Sequence, residues 1–148
     1  MRKLLESMGI SVPFKSAGLS GFPTETALIG GSVLLVEEHR RSGGVSTEDF
    51  PDRTGYECFV NHIHLPYDGK RESLMACLAC AEQVRGELER YTNGREFLII
   101  VSVYADGCVV RFHECRPGES WLGGNLEAYT EEAILAICVT SAAGRCTS

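Results

Sequence analysis

Apolar positions change their period several times along the chain, and each change marks an element. Phe59, Ile63 and Leu65 alternate with Val60, His62 and His64, which predicts a strand over Glu57 to Leu65 ending at Pro66. Beyond it, Leu74, Cys77, Ala81, Val84, Leu88 and Tyr91 recur at helical spacing, with Glu82, Gln83, Glu87 and Arg90 off the stripe. This predicts one long amphipathic helix, capped by Asp68 or Ser73 and stopped at Asn93-Gly94. Phe97 to Tyr104 and Cys108 to Cys115 flank Ala105-Asp106-Gly107, an Asp-Gly signal for a β-hairpin. With Asp106 and Gly107 as the turn pair, Val103 faces Val110 and Val101 faces Phe112 on an apolar side. Ser102 then faces Arg111 and Ile100 faces His113 on a mixed one.

The flanks are less regular. Ser32 to Glu37 is the first convincing strand and Ala133 to Thr140 the last. Residues 1–31, broken by Gly18, Gly21, Pro23, Gly30 and Gly31, read as an irregular wrap. Residues 39–56 are polar, with Arg40, Arg41, Gly43, Gly44, Asp49, Pro51 and Asp52, and read as a surface loop; residues 141–148 read as a frayed tail. The order suits a single α+β domain spanning 1–148: a mostly antiparallel twisted sheet packed on one long amphipathic helix. Its expected core is Phe59, Ile63, Leu74, Leu88, Val101, Val103, Val110, Phe112, Leu135 and Ile137.

Composition narrows the function classes. At 148 residues, 44% hydrophobic and 23% charged, the chain is long and apolar enough to bury a core without disulfides or metal. No apolar run approaches the roughly 20 residues a membrane span needs. Lys+Arg 14 against Asp+Glu 20 gives a formal charge of -6, the wrong sign for gripping nucleic acid and the right one for steering a basic partner. Met1-Arg2-Lys3-Leu4-Leu5 begins like a secretory signal, but Glu6, Ser7 and Gly9 interrupt it. Seven cysteines, an odd number set in apolar segments, read as reduced core residues of a cytoplasmic protein.

Candidate chemistry is sparse. Cys77-Leu78-Ala79-Cys80 matches C-x-x-C, but it falls a turn or more inside its helix, where the dipole does little for a thiol. His62-x-His64 puts two imidazoles on one strand face, and parity places Arg111 and His113 on the corresponding face of the hairpin. That face can contact a partner; the alternative is a small metal-binding or hydrolytic domain using His62, His64 and His113. After the hairpin, Trp121 and Tyr129 are interleaved with Glu119, Glu127, Glu131 and Glu132, aromatic residues ringed by charge. No glycine-rich phosphate loop, nucleophile elbow or H-E-x-x-H is present, so neither a catalytic residue nor a cofactor is assigned.

The tract from Phe112 through Cys115-Arg116-Pro117-Gly118-Glu119-Ser120-Trp121-Leu122 to Tyr129-Thr130-Glu131-Glu132-Ala133 resembles the C-terminal part of small bacterial immunity proteins of polymorphic toxin systems. The resemblance runs over Cys58 to Val139, in segment order and in the Trp then Tyr-x-x-Glu-Ala pattern. It implies a cytoplasmic α+β protein without catalysis of its own that binds and neutralises a cognate toxin. The partner-binding residues to expect are His62, His64, Arg111, His113, Trp121, Glu127, Tyr129 and Glu131. No nucleic acid or membrane is expected as partner, and self-association into a homodimer stays open.

Overall fold

A computed structural model describes residues 1–10 and 21–141. In chain order the elements are α1 (Arg2–Ser7), β1 (Thr26–Ile29), β2 (Ser32–Leu35), α2 (Val36–Arg41), α3 (Arg53–Val60), β3 (His62–Pro66), α4 (Arg71–Leu88), β4 (Phe97–Val103), β5 (Gly107–Glu114) and β6 (Ala133–Val139). Short 3-10 turns lie at Thr47–Asp49, Glu89–Tyr91 and Leu126–Ala128. The fold is α+β. Four antiparallel strands run in the order β3-β5-β4-β6, and β1-β2 make a separate hairpin.

The long helix and the central strands form the core as their periods require. Leu74, Cys77, Cys80, Ala81, Val84 and Leu88 on α4 pack with Ile63, Ile99, Val101, Val103, Cys108, Val110 and Phe112 from one sheet face. Of the expected core, Leu135 and Ile137 are only partly buried, because β6 is an edge strand. Phe59 is not core at all: it is 45% exposed. Neither Asp68 nor Ser73 is the helix cap; that position is Lys70, and the Asp68 carboxylate accepts from the Lys70 N–H and the Ser73 hydroxyl just ahead of the first turn.

The β4-β5 hairpin has its faces as expected but its register moved by two residues. Val103 pairs with Cys108, Val101 with Val110 and Ile99 with Phe112, while Ile100 pairs with Arg111 and Leu98 with His113. The Tyr104 N–H donates to Gly107 O at 2.8 Å, so the loop is Ala105-Asp106 and Gly107 starts β5. None of these residues has a positive φ, and the left-handed turn that an Asp-Gly pair suggests is not used. A shift of two leaves every side chain on its own face.

The N-terminal half departs further. Gly30 and Gly31, at φ 57° and 86°, are the two loop residues of a tight hairpin, so the expected wrap over 1–31 contains strand β1 and its turn into β2. β2 is buried along its length: Val33 and Leu35 join the main core, and Leu34 packs with Tyr56 and Val60 in a second cluster. Residues 39–56 are not one loop. Val36–Arg41 is a surface helix with acids in its first turn and bases in its last, tied by Glu37–Arg40 and Glu38–Arg41 pairs. Asp52 caps α3 by accepting from the Gly55 N–H at 2.7 Å, so residues 53–60 are helical and the strand begins only at His62. The expected tail, apart from Ser141, lies outside the described residues.

Between α3 and β3, Asn61 is fully buried and joins two sheets. Its side chain accepts from Leu35 N and donates to Val33 O, each at 2.9 Å, and its own carbonyl accepts from Phe112 N. Among the described residues Cys58, Cys77, Cys80 and Cys108 are buried free thiols, Cys115 is partly buried, and Cys138 is exposed on β6. Cys146 lies outside the described residues. Burial pushes the Cys58 and Cys80 thiols up to about 12. A maleimide pulse on the native protein, read by peptide mass spectrometry, should therefore label Cys138 and spare these two. Labelling of Cys58 as fast as Cys138 would mean that α3 does not hold its place against β5.

Candidate functional site

β3 and β5 pair antiparallel with His62 opposite Arg111 and His64 opposite Val109. Directly opposed residues share a face, so His62, His64 and Arg111 project on the side away from α4. The two imidazole rings meet edge to face at 5.0 Å between centroids. Phe59, carried outward by the last turn of α3, lies 6.3 Å from the His62 ring and 5.3 Å from Phe50. His62 Nδ1 donates back to Phe59 O, which orients the ring on the helix end.

On the other side of Arg111 the connection from β5 to β6 folds against the same face. The Arg111 guanidinium sits over the Trp121 ring, Cζ 5.0 Å from its centroid. Arg111, Trp121, Tyr129, Tyr104, Ser102 and Glu132 line a cleft of about 270 Å³. Trp121 is 44% exposed at its rim. Burial, and then the adjoining Glu132 carboxylate, push the Tyr104 phenol above its ordinary value.

A set of long-range bonds fixes that connection. Glu57 on α3 is 1% exposed; its carboxylate accepts from the Glu114 N–H at 2.8 Å and from the Arg116 guanidinium at 2.5 and 3.1 Å. Arg116 also reaches Glu114, which pairs with Arg95 at 3.0 Å. Glu119 accepts from the Thr54 N–H at 3.0 Å in the first turn of α3, and that bond holds its carboxyl below the usual range. Further on, the Tyr129 hydroxyl accepts from Gly123 N at 2.9 Å and closes the loop that presents Trp121.

The residues expected at a partner face thus divide. His62, His64, Arg111, Trp121 and Tyr129 come together. His113 shares their parity but is 3% exposed, with Nδ1 donating to Glu114 O at 2.8 Å and no partner at Nε2 among the described residues. It is a wall residue, because the sheet face that parity left open is covered there. Glu131 is exposed in the approach to β6, and the Glu127 side chain lies outside the described residues. Two residues of the face were not expected there, Phe59 and Tyr104, whereas Ser102 on the mixed hairpin face and Glu132 beside the aromatic residues fall where their segments placed them. Tyr104 carried a signal, a large aromatic next to a hairpin turn; Phe59 carried a misleading one.

Among the described residues no three His, Cys, Asp or Glu side chains gather as a metal site requires, and His62 and His64 stand without a third donor from His113. No helix of the described residues is long and apolar enough to cross a membrane. Residues 21–143 match a family model described as the Uncharacterized protein PM0498 family. No curated protein and no solved structure matches the chain.

Proposed function

The chain belongs to the Uncharacterized protein PM0498 family. We propose that it is a non-catalytic binding protein: a cytoplasmic inhibitor that holds a cognate toxin through the Phe59, His62, His64, Arg111 and Trp121 face. The observation that carries this reading is Trp121, a half-exposed indole with the Arg111 guanidinium over its ring at a cleft rim, presented by a connection bonded on both sides of it. Trp, Tyr and Arg are the residues most often found as binding anchors, and a surface already fixed in place loses little freedom on association. The tract that resembles immunity proteins is the one that builds this cleft. A formal charge of -6 favours steering of a basic toxin domain.

Co-expression tests it. A toxin domain encoded beside this chain should kill cells alone and be harmless with it, and the two should co-purify. Trp121→Ala should weaken the complex by about 2 kcal/mol, roughly 30-fold in Kd, while leaving the melting temperature within a few degrees. Killing that is unchanged by the wild-type chain sinks the toxin reading for that pair. Unchanged affinity in Trp121→Ala places the interface elsewhere on the molecule.

A further inference from the structure

Among the described residues five arginines are partly buried: Arg53, Arg85, Arg95, Arg111 and Arg116. Four of them donate to oxygen. Arg53 reaches Gly30 O at 3.1 Å, Arg85 pairs with Glu82, Arg95 with Glu114, and Arg116 with Glu57. Arg111 differs: no carboxylate or carbonyl of the described residues accepts from it, and its contact is with the face of Trp121. A guanidinium whose contact is with a ring still has N–H groups to offer an acceptor, and five such donors in a fixed fork match a carboxylate in two-point geometry. Arg111 is only partly buried, so its N–H groups face the cleft and its solvent, where an incoming anion can replace water as their acceptor.

We infer that the Arg111 cleft is a receptor for one acidic side chain, an aspartate or glutamate projecting from the partner protein. This rests on the binding reading above and names the chemistry of its contact. The carboxylate already present does not fill the role: Glu132 lies against the Tyr104 hydroxyl and forms no ion pair with Arg111. The Trp121 and Tyr129 rings supply apolar walls. A cleft of about 270 Å³ has room for one acidic side chain. The charges complement one another at two scales. A chain of formal charge -6 steers a basic partner, and one acidic residue of that partner finds Arg111 and sets the register of docking.

The chain's single tryptophan makes the test direct, since its fluorescence reports Trp121 alone. Blocked glutamate (N-acetyl-glutamate N-methylamide) is titrated into the purified chain, with blocked glutamine and inorganic phosphate as parallel probes. The expected result is a saturating fluorescence change with blocked glutamate, at least about tenfold weaker with blocked glutamine and in Arg111→Gln. Arg111→Lys, which keeps the charge and loses the fork, should fall between; both variants are checked for an unchanged circular dichroism spectrum. No response to glutamate, or the same response to glutamine, overturns the proposal. Equal or tighter binding of phosphate overturns it too, by making the cleft a general anion hole. A toxin domain separates this inference from the reading it rests on. If wild type and Arg111→Gln hold the domain equally while Trp121→Ala loses it, the binding protein stands and the carboxylate receptor falls. Without any complex the binding reading falls, and the titration still decides the cleft.

Discussion

Arg116→Ala should cost about 3 to 5 kcal/mol of folding stability, a large share of the 5 to 15 kcal/mol typical of a domain. The reason is what the substitution leaves behind. Glu57 is 1% exposed, and without Arg116 its carboxylate keeps only the Glu114 N–H at 2.8 Å. A buried charge with one donor is far worse than no charge. Glu57→Gln should be milder, because Arg116 retains Glu114 at 3.1 Å and a glutamine oxygen can still accept from the backbone. Replacing both at once with apolar residues of similar volume, Glu57→Leu with Arg116→Met, should recover most of the loss. Urea titrations of the four proteins check the order. A double variant as unstable as Arg116→Ala would mean that the pair holds the fold by geometry and not by mutual neutralisation. Because these bonds also fix the connection that carries Trp121, partner binding should weaken with stability in Arg116→Ala.

How much of this was legible follows from how far each signal reaches along the chain. α4 and the β4-β5 hairpin have one period each over many residues, and they fold where that period says. The hairpin register slipped by two because Asp106-Gly107 suggests a left-handed turn while Ala105-Asp106 makes an ordinary one. α3 was hidden by coincidence. Phe59 falls in phase with Ile63 and Leu65 for a strand, yet the Asp52 cap starts a helix that turns Phe59 outward. α2 carried its own signal, acids before bases over Glu37 to Arg41, in a stretch read as loop because it is polar. At the site, strand parity was enough to group His62, His64 and Arg111. It was not enough for His113, whose burial depends on what packs over the sheet. Glu57 and Arg116 are 59 positions apart, and no local pattern joins them. The signal available in retrospect is a glutamate inside an otherwise apolar helical face, flanked by Tyr56, Cys58 and Val60.

Leu88→Ala and Phe59→Ala should separate the two faces of this structure by their costs. Leu88 is fully buried in the last turn of α4, within the main cluster. Truncating it removes three methyl or methine carbons and leaves a cavity between helix and sheet, for an expected loss of about 2 to 5 kcal/mol. Phe59 is 45% exposed and touches Phe50 and His62 at ring-centroid distances of 5.3 and 6.3 Å. Its truncation forfeits aromatic contact at a surface and should cost about 1 kcal/mol or less. The strand that the sequence alone suggests over Glu57 to Leu65 would reverse part of this, since Phe59 would then lie in the core and its loss would cost about 3 to 5 kcal/mol. Chemical denaturation of the two variants decides between helix and strand at α3. In a binding assay the roles exchange: Leu88→Ala, once corrected for its unfolded fraction, should hold the partner as tightly as wild type. Phe59→Ala should not, because its ring continues the surface that begins at Trp121 and runs through Arg111 and His62.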